Sequence, residues 1–318
     1  MLRAITQSVH GQLVNRIHVR LEEFWKATVI MIDARRIAGC CGKVTTAPLD
    51  RVKILLQAHH QYYNHLGVWS SLAKVVEHEG VRGLYRGNGA MMVRTFPYGA
   101  IQFVTYDWFK KKTKQKLLSG SLAGVIAVLF TYPLDMVRAR LAYQVQGECL
   151  YRGILHTCRS IWHEEGQLRA LYRGVGPTLL GMVPYAGAAF YSYEMGKAYV
   201  LVKGPLYLSK PSPANLQERV LTAQANLFIG GFAGAFAQTI VYPLDVGRRL
   251  MQLGAMVPNA NPSSSCLETL VLVYTERGTQ GLFRGVSINY LRAIPAAAVS
   301  FTLYEHLKQY LNIHSDER

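Results

Sequence analysis

Three aspartates stand three residues ahead of a base in the same setting: Asp50 before Lys53, Asp135 before Arg138 and Asp245 before Arg248, each directly after Pro-Leu. A second set recurs later: Asp107 before Lys110, Glu194 before Lys197 and Glu305 before Lys308, each acid directly after a tyrosine. Residues three apart share one helix face. Neither set has the company that bond-making chemistry needs. There is no nucleophile elbow, no Walker loop and no zinc-ligand spacing, and His59-His60 lie in a polar connection. Six acids matched by six bases point instead to reversible ion pairing. Two further bases, Arg94 and Arg292, stand alone in otherwise uncharged stretches. A guanidinium placed there suits a phosphate, which it grips through two parallel hydrogen bonds.

Those uncharged stretches are the elements that must position the charges. Leu117 to Leu134, Val175 to Tyr193 and Val220 to Leu244 carry no charge over 18, 19 and 25 residues. Gly87 to Tyr106 and Val286 to Tyr304 carry one arginine each. About 20 apolar residues span a bilayer, so these are candidate transmembrane segments. An aromatic-Arg-Gly triplet also occurs three times, as Tyr85-Arg86-Gly87, Tyr172-Arg173-Gly174 and Phe283-Arg284-Gly285. Three motifs recurring three times in one order define a threefold internal repeat. Each repeat reads as two hydrophobic helices, the first ending near Pro-Leu-Asp and the second starting after aromatic-Arg-Gly. A polar connection between them holds a short helical pattern such as Val68 to Glu77. The proline removes a helix hydrogen bond, which kinks the helix or terminates it. The polar stretch Lys203 to Glu218, with Pro205, Pro211 and Pro213, reads as an extra loop between repeats two and three.

Composition narrows the choice of function. The 318 residues hold 35 Lys+Arg against 19 Asp+Glu, a formal charge of +16, yet charged residues are only 17% of the chain, below the roughly 25% of soluble domains. Half the residues are hydrophobic, which argues against a disordered polymer. Five cysteines make no disulfide framework. A basic chain suggests a nucleic-acid binder, but beyond a cluster of five lysines from Lys110 to Lys116 the positive charges are scattered. The polar connections hold 15 bases and seven acids, the rest of the chain 20 and twelve, so each part carries the same excess of eight. Charge therefore does not orient the chain by the positive-inside rule. A mean hydropathy of +0.09 fits helices that line a wet cavity.

The thrice-repeated Pro-x-Asp-x-x-Lys/Arg, followed by acidic-Gly and aromatic-Arg-Gly, resembles the signature of the mitochondrial carrier family, over about Ala38 to Leu311. Within that family Ala47-Pro48-Leu49-Asp50-Arg51-Val52-Lys53, Gly83-Leu84-Tyr85-Arg86-Gly87-Asn88-Gly89-Ala90-Met91-Met92 and Pro97-Tyr98-Gly99-Ala100-Ile101-Gln102-Phe103 look most like the coenzyme A carrier-type members. The resemblance implies an all-α membrane protein of the mitochondrial inner membrane. It would have six transmembrane helices in three pseudosymmetric repeats of two helices each, with short matrix-side helices and termini toward the intermembrane space. Residues 1–30 form an N-terminal extension, and the repeats cover 31–115, 116–205 and 206–312. The implied function is transport of coenzyme A or a related adenine nucleotide by alternating access, in exchange for another nucleotide. The alternatives are an ATP-Mg/phosphate or other adenine nucleotide carrier, or a carrier fold with impaired transport. No enzyme activity, cofactor, metal or nucleic-acid partner is expected; the partners implied are the substrate and inner-membrane lipids, cardiolipin included, around a monomer.

The same resemblance assigns roles. A matrix gate would pair Asp50 with Arg138, Asp135 with Arg248 and Asp245 with Lys53, braced by Gln57 and Gln252; repeat two has Ala142 at the bracing position. A cytoplasmic gate would pair Asp107 with Lys197, Glu194 with Lys308 and Glu305 with Lys110. Thirteen residues before each upper acid stand Arg94, Gly181 and Arg292, about 20 Å down the helix. Gate residues repeat, whereas residues that touch an asymmetric substrate need not. Arg94 and Arg292 are thus the expected anion contacts, left unpaired for the substrate. Gly181 and Met182 match a contact point of nucleotide-transporting carriers, and Tyr185 is placed to stack on adenine; packing through a small residue is the alternative for Gly181. Lys43 and Gln102 are further cavity-wall candidates.

Some positions depart from the pattern. Arg248-Arg249-Leu250-Met251-Gln252 replaces the run of arginines and methionines of ADP/ATP carriers, which argues against that exchanger. Arg277 stands where an acid is expected before Gly278, and repeat two has one residue more between Gly166 and Tyr172. Asp33, Arg35 and Arg36 fall within the expected first helix, and the connection after Lys110 is short.

Overall fold

A computed structural model describes residues 37–310, except 59, 61, 64, 114, 146–149, 204, 206–207, 212–218 and 258–264. The extension over residues 1–30 and the first-helix positions Asp33, Arg35 and Arg36 lie outside the described residues. In chain order the helices are α1 (37–57), α2 (Val68–Gly83), α3 (Asn88–Thr113), α4 (Lys116–Tyr143), α5 (Ile154–Glu164), α6 (Gln167–Leu171), α7 (Val175–Lys203), α8 (Ala223–Leu253), α9 (Cys266–Leu282) and α10 (Val286–Tyr310). Each repeat therefore contributes a long helix, a short helical segment and a second long helix. Segments of 25 to 31 residues rise about 38 to 46 Å, enough for a hydrocarbon core of about 30 Å. Leu118–Tyr143, Gln224–Leu253 and Val286–Leu307 are long and apolar enough to cross a membrane by composition alone. Of the other long helices, α7 has no charged residue from Val175 to Tyr193, and α3 carries Arg94 and Asp107 along its length.

The long helices do not stop at Pro-Leu-Asp. Pro48, Pro133 and Pro243 sit inside α1, α4 and α8, which run nine or ten residues further. The motif predicts an end or a kink there because proline removes one backbone hydrogen bond. Burial of the next turns outweighs that loss. Met136, Val137 and Leu141 pack with Tyr151, Ile161 and Leu171, and Val246 and Leu250 pack with Val273 of α9. Ile54 and Leu55 of α1, with Ala58 just after it, join Tyr63, Val75 and, from repeat two, Ala139 and Tyr143. The buried cores thus cluster where short helices pack on the ends of long ones. A second recurring proline, Pro97, Pro184 and Pro295, lies inside α3, α7 and α10.

Between α3 and α4 only residues 114 and 115 intervene, and the two helices pack along each other, as do α7 and α8. In the extra loop, β1 (Ser209–Pro211) pairs antiparallel with β2 (Arg219–Leu221). The prolines there signal a loop and leave room for a short two-stranded ribbon, which needs few backbone donors. The chain forms two compact units. In the described part of the smaller one, residues 37–46 and Arg292 to Tyr310, Gly42 packs so closely on α10 that a Cβ would fall 2.8 Å from the Ala296 carbonyl oxygen. Ala47 to Leu291 form the larger unit.

The aromatic-Arg-Gly triplet is a helix start. Gly87, Gly174 and Gly285 have φ of +80°, +80° and +84°, and a long helix begins at the next residue in each repeat. A Cβ on Gly174 would meet Tyr132 Oη at 2.9 Å and the Arg248 carbonyl oxygen at 3.0 Å. Tyr132 Oη donates to the Arg173 carbonyl at 2.8 Å, and Tyr242 Oη donates to that of Arg284 at 2.6 Å; repeat one has Ala47 at this position. Gly174→Ala is expected to destabilise by about 1–2 kcal/mol from the left-handed backbone alone, with the overlap adding to it. Thermal unfolding of the detergent-purified protein checks this against Gly176→Ala, whose Cβ meets nothing and which should shift the midpoint little. The extra residue of repeat two is absorbed at Gly166 and Gln167, with φ of +104° and +59°, where α5 and α6 separate.

Candidate functional site

At the Pro-Leu-Asp end each acid meets the base of another repeat. Arg138 Nη2 lies 2.8 Å from Asp50 Oδ2, Arg248 donates to Asp135, and Lys53 Nζ lies 3.7 Å from Asp245 Oδ2. All six side chains lie in turns beyond the helix prolines, where continued helix places acid and base one turn apart. The three pairs are not alike. Asp135 is buried and also takes Arg94 Nη1 at 3.0 Å and Gln252 Nε2 at 3.0 Å, with Arg249 Nη1 at 3.8 Å. Asp245 has a side chain 29% exposed and accepts from Gln238 Nε2 at 2.9 Å.

The two glutamines behave differently. Gln252 donates to Tyr132 Oη at 3.1 Å as well as to Asp135, and accepts from Arg249 at 2.8 Å. Gln57 is buried beside Gly285, and its amide has no hydrogen-bond partner among the described residues. Asp245 Oδ2 is met instead by Gln238 and Lys53.

The expected substrate contacts are distributed as follows. Arg94 is not an unpaired cation: α3 packs along α4, and the long side chain reaches Asp135. It also lies 5.7 Å from the Tyr98 ring. In the smaller unit Lys43 and Arg292 are half-buried and both have interaction partners, so Arg292 does not stand unpaired either. Gly181 is buried, and a Cβ there would meet Val241 Cγ1 of α8 at 3.0 Å. Met182 Cε lies 3.3 Å from where a Cβ of Gly124 would be. Both residues pack helices together. Tyr185 and Gln102 are exposed. At the other end Asp107, Lys110, Glu194 and Glu305 are exposed and Lys197 is half-buried. Among the described residues Asp107 and Lys197 form no ion pair. The side chain of Lys308 lies outside the described residues. Lys110 Nζ sits 5.9 Å from the Tyr106 ring.

Beside the pairs are residues that sequence reasoning missed. Arg51, 1% exposed, donates to the carbonyls of Ala142 at 3.1 Å, Gln144 at 2.9 Å and Gly83, and pairs with Glu79 at 2.8 Å. Arg140 donates to the Gln252 carbonyl at 3.3 Å and to Tyr151 Oη at 2.9 Å, and forks onto both oxygens of Glu165. Burial pushes the Tyr151 hydroxyl above its ordinary pKa, so it stays protonated at neutral pH. Arg86 and Arg173, from the aromatic-Arg-Gly triplets, join Glu79 and Glu165 at 3.1 Å each. Each buried guanidinium thus ties its own short helix to the last carbonyls of the next repeat's long helix. One signal was available: Glu79-Gly80 and Glu165-Gly166 precede the triplets at like spacing. The arginines themselves do not recur, since Arg51 is three residues after its proline and Arg140 seven.

The sequence model of the family described as mitochondrial carrier protein matches three times, over residues 34–116, 111–204 and 219–315. Solute carrier family 25 member 16 from Bos taurus is 48% identical over 305 residues, covering 93% of this chain and 92% of the relative. The Homo sapiens protein of that name, the Graves disease carrier protein, is 48% identical over the same length. Mitochondrial carrier protein CoAc1 from Arabidopsis thaliana is 39% identical over 311 residues, covering 88% and 89%. A threefold family match over nearly the whole chain, on the helices that carry the three Pro-Leu-Asp pairs, means that the chain belongs to the mitochondrial carrier family and is a multi-pass protein of the mitochondrial inner membrane.

Proposed function

We propose that this mitochondrial solute carrier moves coenzyme A or a related adenine nucleotide across the inner membrane by alternating access, in exchange for another nucleotide, and catalyses no reaction. The observation that carries this is the surplus of positive charge at Asp135. Three guanidiniums, those of Arg94, Arg248 and Arg249, converge on one buried carboxylate. That surplus suits a substrate that brings several phosphate charges. Arg94 and Arg292 are the anion contacts, and Asp135 holds Arg94 until a phosphate takes its place. Gly181, Met182 and Tyr185 face the adenine, and Lys43 and Gln102 the remainder. Asp50–Arg138, Asp135–Arg248 and Asp245–Lys53 form the matrix gate. Asp107, Lys110, Glu194, Lys197, Glu305 and Lys308 form the cytoplasmic one. The repeats act as three units, 31–115, 116–205 and 206–312, in a monomer surrounded by inner-membrane lipid, without a nucleic-acid partner. The names of the plant relatives, CoAc1 in two species, agree with the substrate class.

Uptake of labelled coenzyme A by vesicles containing the purified protein tests the proposal. Arg94→Ala and Arg292→Ala are each expected to lower uptake by about tenfold or more, because a hydrogen bond to a charged group contributes about 1.5–3 kcal/mol. Unchanged uptake in both variants refutes the site. Entry of ADP or ATP-Mg while coenzyme A is excluded refutes the substrate.

A further inference from the structure

A groove built by two spanning helices lies away from the charge pairs. Between α7 and α8 a space of about 500 Å³ is walled on one side by Tyr191, Met195 and Tyr199 and on the other by Phe228, Phe232 and Phe236. Members of each trio are four residues apart, so each forms a ridge along one helix face. At its floor the helices touch: a Cβ on Gly196 would fall 2.8 Å from Ile229 Cγ2. Beside it Tyr193 Oη donates to Asn226 Oδ1 at 2.9 Å. These two contacts fix the spacing of the walls, so the groove stays open. Its aromatic residues are uncovered, with Tyr199 65%, Phe228 76% and Phe232 72% exposed.

On spanning helices the medium that meets such a face is lipid hydrocarbon. Eight residues of helix make a ridge about 12 Å long, most of one leaflet's share of a core about 30 Å thick. Lys203 ends α7 and is exposed. It lies four residues beyond Tyr199, one turn on along the same face. Glu194, nine residues before Lys203 and so two and a half turns away, projects from the opposite side of α7. The groove therefore has an apolar aromatic body and a cation one turn beyond its Tyr199 end, while Glu194 of α7 flanks the Tyr191 end, about 14 Å along the helix from Lys203. That is the charge and shape complement of a phosphate carried on an acyl chain.

We propose that the α7–α8 groove binds one anionic phospholipid from the leaflet at the C-terminal end of α7, with an acyl chain between the aromatic ridges and the headgroup phosphate at Lys203. The full-length protein is reconstituted into phosphatidylcholine vesicles holding a trace of phosphatidylglycerol with a diazirine in mid-chain, irradiated, and its adducts mapped by mass spectrometry. The expected result is labelling of Tyr191 to Tyr199 and Phe228 to Phe236 severalfold above the exposed residues Phe96 and Phe103 of α3. A matched phosphatidylcholine probe should label the groove severalfold less, and Lys203→Gln should erase the difference between the probes. Equal labelling of the groove and of α3 overturns the site. Groove labelling that is equal for both probes, or indifferent to Lys203→Gln, overturns the anionic headgroup. An unlabelled groove with covalently cross-linkable dimers would assign this face to a second copy and likewise overturns it.

Discussion

Asp135→Asn is expected to abolish transport and to lower thermal stability more than the same change at Asp50 or Asp245. Asp135 is buried among Arg94, Arg248 and Arg249, so its neutralisation takes the shared counter-charge from three cations at once. Removing one partner of a buried pair costs about 3–5 kcal/mol. Asp50, also buried, faces Arg138 at 2.8 Å, and its loss should be felt less than that of a carboxylate set among three guanidiniums. Asp245 is part-exposed and 3.7 Å from Lys53, and its loss should be felt least. Thermal unfolding in detergent and nucleotide exchange in vesicles measure the order. Three equal effects would show that the pairs are interchangeable. Adding Arg94→Ala to Asp135→Asn should restore part of the stability, because it removes surplus charge without restoring the pair; contacting residues couple in this way.

Arg51→Leu should be nearly as severe for stability, again by about 3–5 kcal/mol. The change leaves Glu79, itself buried, with Arg86 alone at 3.1 Å. It also removes one donor from each of the carbonyls of Gly83, Ala142 and Gln144, leaving the first and last to Arg86. Arg51→Lys should recover a part only, since an ammonium keeps the charge but not the planar fork that reaches several acceptors at once. Arg82→Leu on the exposed face of α2 should stay within about 0.5 kcal/mol. If leucine and lysine at position 51 unfold at the parent's temperature, the buried network contributes nothing.

The repeat architecture was legible because identical motifs at Asp50, Asp135 and Asp245 can only be satisfied by one another under threefold repetition. Depth along a helix was legible too, since Arg94 lies thirteen residues before Asp107. What Arg94 touches was not: counting along one helix says nothing of how closely the neighbouring helix approaches, and α4 comes within reach. The continuation of α4 to Tyr143 was hidden because proline is a strong local signal, whereas the core that overrides it is assembled from distant segments. Arg51 and Arg140 were missed because a search for recurrence discards residues that do not recur. Gly181 shows how one residue type serves two readings, a contact for a flat substrate ring or a small packing residue; its approach to Val241 packs α7 on α8.

The buried arginines also bear on the order in which the chain is made. Arg51 belongs to the first long helix to be synthesised, yet its carbonyl acceptors on Ala142 and Gln144 follow 91 and 93 residues later. Arg140 in turn reaches Gln252, 112 residues on. A nascent first repeat therefore holds a guanidinium that can meet Glu79 and the Gly83 carbonyl while its other two backbone acceptors do not yet exist, and the second repeat inherits the same debt to the third. The repeats are copies in sequence without being self-sufficient modules. A chain cut between them would keep each arginine's carboxylate partner but lose its carbonyl acceptors on the next repeat, so insertion into the bilayer has to keep early segments waiting until late ones arrive.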